Sequence, residues 1–134
     1  MYRPEKNFER LNRSHTKLSF PNFDVDEMIK CVKDLLIIEK DWFPRKEMHS
    51  IYIRPNSICM DNRVGINRVH KVKTFVVLSP VGPYYPRGFA PTKLYCDTDH
   101  VRSWPRGFGD SKLGSNYAPT LKPQSESLKL HGCD

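Results

Sequence analysis

Paired cysteines, long apolar runs and metal-ligand clusters are all missing from this sequence of 134 residues. Its four cysteines stand at positions 31, 59, 96 and 133, without a C-x-x-C pair or a histidine at metal-ligand spacing. This spacing argues against a zinc site, and a disulfide framework would require denser cysteines. No apolar run approaches the about 18 residues that a membrane span requires. The pattern predicts reduced thiols, no metal and no membrane span.

The amino terminus, Met-Tyr-Arg-Pro-Glu-Lys, lacks the apolar core of a secretory signal. Together with reduced thiols, this predicts a cytoplasmic protein. The early acidic residue is also poor for a mitochondrial presequence. A mitochondrial location is the alternative if the natural start lies upstream of Met1.

Acidic residues are outnumbered, because 22 Lys and Arg stand against 15 Asp and Glu and give a net charge of +7. Such a balance suits an anionic partner but does not specify a fold. The basic residues are spread along the chain, with no run longer than two. A basic solvated surface is therefore favoured over nucleic-acid binding. The hydrophobic fraction of 38% and the charged fraction of 28% are typical of a globular protein.

Helical spacing of apolar residues dominates the first third of the chain. Residues Pro4 to Leu18 predict a short helix that Asn7 can cap. A second helix is predicted after Pro21, where Asp24 and Glu27 form a start like a capping box. Its apolar stripe runs as far as Trp42 and Pro44 ends it; the stripe comprises Met28, Val32, Leu35, Leu36 and Trp42.

From Ser50 the apolar period changes to two, which is typical of strands. Residues Ser50 to Arg54 alternate and stop at Pro55, and Ile58 to Met60 can resume the strand. Residues Val72 to Leu78 form a β-branched run suited to a buried strand. Two further short strands are predicted at Thr92 to Cys96 and at Val101 to Trp104.

The change of period and a proline-rich connector predict a mixed α/β (α+β) fold in two parts. The connector is the segment Ser79 to Pro91, rich in proline and glycine. A glycine-rich turn, Pro105 to Ser115, then leads into a final stretch that would be helical except for Pro119 and Pro123.

A lysine among glycines, Lys112, lies in the segment from Gly107 to Tyr117. The segment does not match the P-loop pattern, and Gly107 and Gly109 lack the third glycine of a dinucleotide-binding fingerprint. On local pattern alone, the favoured interpretation is a strand-to-helix turn with an exposed Lys112.

A wider set of motifs gives this lysine a second interpretation. The motifs are Met1-Tyr-Arg-Pro, Ile51-Tyr-Ile-Arg-Pro55, Leu78-Ser-Pro-Val-Gly-Pro-Tyr84, Val101-Arg, Gly109-Asp-Ser-Lys112 and Asn116-Tyr117-Ala118. Their order and spacing resemble those of the branched-chain amino-acid aminotransferases, which are fold-type IV pyridoxal-phosphate enzymes. Within this family, the motifs are most similar to those of the animal-type members. The resemblance covers the whole chain but only the middle of the family's sequence.

The resemblance implies both an architecture and an activity. Residues 1–80 would be the end of the small N-terminal domain, residues 81–91 the interdomain loop and residues 92–134 the start of the large cofactor-binding domain. The activity would be transamination of leucine, isoleucine or valine with 2-oxoglutarate, giving branched-chain 2-oxo acids and glutamate. The partners would be these small molecules and, as in the family, a second subunit of a homodimer.

The resemblance also implies roles for residues of the lysine loop. Lys112 would form the Schiff base with the aldehyde of pyridoxal 5'-phosphate and later move the proton at the substrate Cα. Tyr117 would hydrogen-bond the phenolic oxygen of the cofactor. Arg102 would lie near the cofactor. On local pattern alone, Tyr117 would be a partly buried tyrosine at a helix start.

Five residues before the lysine loop would contact the substrate by the same resemblance. Tyr52 would border the amino-acid site, and Arg54 would supply charge for the second carboxylate of glutamate. Tyr84 would close over the substrate, while Val64 and Ile66 would reach the pocket of the partner subunit. On local pattern alone, Arg54 would be an exposed arginine and Tyr52 a tyrosine packed on the sheet.

The sequence departs from the family pattern at several points. Ser115 replaces the second glycine after the lysine, Arg106 replaces the first of a double glycine, and Pro123 falls inside a helix. In the family, the arginine that holds the cofactor phosphate precedes the matched stretch, and the acidic partner and the threonine-bearing phosphate loops follow it. The 134 residues alone are therefore expected to be inactive. A non-catalytic remnant that binds a full-length subunit is the alternative.

Overall fold

The computed structural model describes residues 1–85 and 87–133. The chain divides into two compact units, Met1–Gly88 and Phe89–Asp134. Pro86, within the predicted connector, and Asp134, at the end of the predicted third segment, lie outside the described residues. Three α-helices and a two-stranded antiparallel sheet make up the regular structure of the described part. This mixture confirms the predicted α+β class.

Helix α1, Pro4–Lys17, begins three residues before the predicted cap. Proline suits the first helical turn, because its missing N–H would have no helical partner there and its φ is already helical. The side-chain amide of Asn7 donates to the carbonyl oxygen of Arg3 at 3.2 Å, from within the helix. The prediction that Asn7 caps the helix is therefore wrong.

Helix α2, Val25–Ile38, begins as the sequence predicts, because Asp24 Oδ1 accepts a hydrogen bond of 2.9 Å from the backbone N–H of Glu27. The helix ends before the predicted limit, and Trp42 closes a separate 3₁₀ turn, Lys40–Trp42. Pro44 lies six residues beyond the end of α2, so its conformational effect is limited to the residue before it. A residue before proline avoids helical dihedrals, and Phe43 has φ −67° and ψ 120°.

Strands β1, Ser50–Cys59, and β2, Val72–Val81, form an antiparallel hairpin. The prediction that β1 stops at Pro55 is wrong, because the strand continues through the proline. Each strand of a two-stranded sheet has one edge without a neighbour, where a missing N–H costs no ladder hydrogen bond. The same tolerance lets β2 extend past Leu78 and through Pro80.

A buried histidine ties α1 to one face of this hairpin. His15 is 2% exposed. Its Nδ1 donates to the carbonyl oxygen of Pro21 at 2.8 Å, and its Nε2 lies 2.6 Å from Ser57 Oγ. Successive residues of a strand point to opposite faces. The helix-bound face therefore carries Ser57, and the opposite face carries Tyr52 and Arg54.

The second unit contains a short 3₁₀ turn, Gly114–Asn116, and helix α3, Ala118–His131, and the rest of its described backbone is irregular. The predicted strands Thr92–Cys96 and Val101–Trp104 are wrong, because no strand occurs in the described residues of this unit. An extended segment needs a neighbouring strand to satisfy its backbone N–H and C=O groups. The described part of this unit offers none.

Helix α3 contains both Pro119 and Pro123, which were expected to interrupt a helix in this stretch. Pro119 lies in the first turn, and Pro123 lies inside the helix. The only helical hydrogen bond that Pro123 removes is the one to the carbonyl of Pro119, so the loss is confined to the first turn. The helix ends at Gly132, whose φ of 59° is the left-handed cap that glycine favours. The expectation that proline disrupts this helix is wrong.

Candidate functional site

The loop that carries Lys112 begins with a tight turn. The backbone N–H of Gly107 donates to the carbonyl oxygen of Trp104 at 3.1 Å. Pro105 occupies the second position of this turn, and Arg106 occupies the third with φ 64°. A turn with proline second and positive φ third favours glycine at the third position. Arg106 is the residue that departs from the expected double glycine, so here the departure places a side chain in a left-handed conformation.

Replacing Arg106 with glycine is expected to stabilise the chain by about 1 kcal/mol, since a left-handed conformation costs a residue with a Cβ roughly 1–2 kcal/mol. The greater freedom of unfolded glycine offsets part of the gain. Urea unfolding of the wild type and of Arg106→Gly measures the difference. The matched control is Arg102→Gly, because Arg102 is not among the residues with positive φ. Equal destabilisation by both substitutions would contradict the explanation.

Gly109 marks a close approach of the loop to an earlier segment. A Cβ built on Gly109 would lie 1.8 Å from Ser103 Oγ and 2.6 Å from Ser103 Cβ. Real Cβ atoms do not approach heavy atoms so closely, so only glycine fits without movement of the backbone. By contrast, a Cβ on Gly114, which follows Lys112 by two residues, would meet nothing within 4 Å.

Asn116 is a buried polar residue whose contacts were not predicted. Its side chain is 5% exposed. Its Nδ2 donates to the carbonyl oxygen of Phe108 at 2.7 Å and to that of Ser111 at 2.8 Å. The only sequence evidence for it is its place in the Asn116-Tyr117-Ala118 motif, because burial of a loop asparagine depends on tertiary packing.

Lys112 and Tyr117 are in contact. The Nζ of Lys112 donates a hydrogen bond to the hydroxyl oxygen of Tyr117, and it also lies 4.3 Å from the centroid of the tyrosine ring. Both side chains are exposed. The turn between them ends in a 3₁₀ turn, Gly114–Asn116, that leads into α3. Arg102, the third residue predicted to face the cofactor, is exposed in the same unit.

Tyr52 and Arg54 share one face of β1, as their spacing predicts. The guanidinium carbon of Arg54 lies 5.0 Å from the centroid of the Tyr52 ring, which is a cation–π distance. Both side chains are exposed, so this face presents an aromatic ring and a positive charge to solvent.

Val64 and Ile66 lie in the loop that joins β1 to β2, and both are fully exposed. Asp61 closes the base of this loop, because its two carboxylate oxygens accept hydrogen bonds of 2.8 Å from the backbone N–H groups of His70 and Lys71. The bond from His70, the larger influence, holds the pKa of Asp61 below its ordinary value. The loop thus has a fixed base and an apolar, solvent-facing tip.

Tyr84 follows the end of β2 and is exposed, with its ring edge-on to that of Tyr85 at 4.9 Å between centroids. It lies in the first unit with Tyr52, Arg54, Val64 and Ile66. Lys112, Tyr117 and Arg102 lie in the second unit. The structure therefore brings together two of the predicted pairs, one within each unit.

The described residues contain no group of three or more His, Cys, Asp or Glu side chains arranged to hold a metal ion. They also contain no helix with both the length and the apolar character needed to cross a bilayer. The four cysteines, which all lie in the described part, are free thiols.

Comparison with known proteins identifies close relatives, although no family model matches the chain. The "Branched-chain-amino-acid aminotransferase" of Dictyostelium discoideum is 43% identical over 129 residues, which cover 96% of this chain and 34% of the relative. The "Branched-chain-amino-acid aminotransferase" of Monosiga brevicollis is 41% identical over 99% of this chain and 34% of the relative. The "Branched-chain-amino-acid aminotransferase 2" of Bacillus subtilis is 41% identical over 92% of this chain and 34% of the relative. The chain therefore spans about one third of the length of the curated relatives it matches.

Proposed function

Because the chain is homologous over nearly its whole length to a stretch of the branched-chain-amino-acid aminotransferases, we propose that it carries the lysine side of a branched-chain transaminase site. The reaction is the transfer of the amino group of leucine, isoleucine or valine to 2-oxoglutarate. The observation that carries the proposal is the contact between Lys112 and Tyr117, five residues apart in the loop where the resemblance places the reactive lysine.

The amine of Lys112 and the hydroxyl of Tyr117 fit the chemistry of the aldehyde end of pyridoxal 5'-phosphate. When bound, this cofactor supplies an aldehyde that an amine can attack and a ring that accepts electrons from the substrate. Lys112 provides a primary amine that reaches solvent. The Tyr117 hydroxyl accepts a hydrogen bond from that amine, and it would donate to an oxygen beside the point of attachment when the cofactor is bound. With the cofactor bound, the Lys112 amine would be the group that takes the proton from the substrate Cα and returns it.

The hairpin supplies the groups that we assign to the substrate. Tyr52 offers an aromatic wall for a branched apolar side chain, and Arg54, held over that ring, offers charge to the second carboxylate of glutamate. Tyr84 closes over the substrate. The exposed tip residues Val64 and Ile66 contribute to the pocket of the partner subunit in a homodimer. Exposure of two large apolar side chains at a loop tip supports such a contact.

The domain assignment follows the same homology. Residues 1–80 form the end of a small domain, residues 81–91 the interdomain loop and residues 92–134 the start of a large domain. Arg102 serves the cofactor from the last of these. Similarity does not distinguish the compartment, since the mouse relative is named cytosolic and the Schizosaccharomyces pombe relative mitochondrial.

Selective capture of the cofactor tests this proposal. The purified chain is incubated with less than one equivalent of pyridoxal 5'-phosphate, reduced with borohydride and mapped by peptide mass spectrometry. Lys112 is expected to carry most of the label, because Tyr117 stabilises attachment there. Lys122, an exposed lysine of the same unit that pairs with Glu126 at 3.7 Å, is the internal reference. Even labelling of Lys112 and Lys122 would contradict the proposal and favour a non-catalytic chain.

A further inference from the structure

One buried side chain connects the two halves of the lysine loop. The amide of Asn116 donates both of its N–H groups, to the carbonyl oxygens of Phe108 and Ser111 at 2.7 and 2.8 Å. These carbonyls belong to a turn that is itself closed by a hydrogen bond of 2.9 Å from the Ser111 N–H to the Phe108 oxygen. With Asn116 only 5% exposed, water has little access to replace either bond.

Lys112 lies between two residues that are bonded to Asn116. Ser111 precedes it and accepts from the Asn116 side chain, while the carbonyl of Leu113 follows it and accepts from the Asn116 backbone N–H at 3.2 Å. Tyr117, the residue after Asn116, holds the lysine amine. Asn116 therefore fixes the backbone on both sides of Lys112, and it also fixes the backbone from which Tyr117 follows.

From this arrangement we infer that Asn116 is a positioning residue, which sets Lys112 against Tyr117 without touching either reacting group. The inference rests on the proposed function for its consequence, since the position of Lys112 matters when that amine attaches the cofactor. Asparagine suits this role because its amide offers two donors. A carboxylate of the same shape offers none, and a hydroxyl offers one.

The first measurement tests the position itself, without cofactor. Nuclear Overhauser contacts between the ε-methylene of Lys112 and the Tyr117 ring are compared in the wild type and in Asn116→Asp. The contact is expected in the wild type and lost in the variant, because a carboxylate there faces two carbonyl oxygens without a donor. Asn62→Asp, at an exposed asparagine of the first unit, makes the same chemical change elsewhere and should keep the contact.

The second measurement tests the consequence for the amine. In Asn116→Asp, the ratio of borohydride-trapped label on Lys112 to that on Lys122 is expected to fall about ten-fold, because the site loses both buried side-chain hydrogen bonds. Labelling of Lys122 itself should not change. A loss of general structure would instead alter both lysines and the circular dichroism of α3.

The outcomes separate this inference from the proposed function. A wild-type contact without preference for Lys112 in trapping would refute the proposed function and leave the positioning role supported. An unchanged contact in Asn116→Asp would overturn the positioning role. If Asn116→Asp loses helix α3, the comparison passes to Asn116→Ser, which keeps one donor. A partial loss of the contact in that variant supports the inference, and an unchanged contact refutes it.

Discussion

Replacing Gly109 with alanine is expected to disrupt the lysine loop and to destabilise the second unit by about 1–3 kcal/mol, the usual cost of overpacking. The new Cβ would overlap Ser103 Oγ at 1.8 Å and Ser103 Cβ at 2.6 Å. Rotation of the serine side chain can move the oxygen but not the Cβ. The backbone of one segment must therefore shift, and Lys112, three residues along, shifts with it.

The measurements for Gly109→Ala are urea unfolding and the ratio of trapped pyridoxal 5'-phosphate on Lys112 to that on Lys122. Both the stability and the ratio should fall. Gly114→Ala is the matched control, since its Cβ would meet nothing within 4 Å. The double variant Ser103→Gly with Gly109→Ala removes the overlapping Oγ and Cβ and should recover much of the loss. Strictly additive effects of the two substitutions would contradict a direct clash.

Elements that depend on local chemistry were predictable from the sequence. The Asp24 cap and the apolar stripe located the start of α2, and the alternation from Ser50 located β1. The errors arose where the outcome depended on neighbours. Whether Pro55 ends a strand depends on which edge it occupies, and Thr92–Cys96 cannot form a strand without a partner. Pro123 lies close to the start of α3, so the helical hydrogen bond that it removes belongs to the first turn and the rest of the helix is kept.

The site shows the same division. The spacing of Tyr52 and Arg54 predicts that both side chains lie on one face of the strand, and the resemblance assigns Lys112 and Tyr117 to one cofactor. The contacts within each pair are seen only in the structure. The contribution of Asn116 could not be predicted, because its burial depends on how the loop folds back on itself. The requirement for glycine at position 109 likewise follows from the close approach of Ser103, six residues earlier. No local sequence pattern predicts that contact.

The largest effect is expected on transaminase turnover, when the chain is transferred into a full-length relative. In this chimera, the chain replaces the matched stretch of the Dictyostelium discoideum aminotransferase, to which it is 43% identical over 129 residues. By the family resemblance, the residues that hold the cofactor phosphate and its pyridinium nitrogen are expected outside the matched stretch. The chimera is expected to transaminate leucine, isoleucine and valine with 2-oxoglutarate at about 1 per second or more, within the ordinary range for enzymes. The 134-residue polypeptide alone should give no measurable turnover.

The most direct test of the central claim is the turnover of this chimera with and without Lys112. Lys112→Ala is expected to lower turnover about a thousand-fold or more, as loss of an attacking group does in other enzymes. Lys122→Ala, at an exposed position on α3, should leave it unchanged. A folded, active chimera whose branched-chain transamination survives Lys112→Ala would contradict the assignment of Lys112.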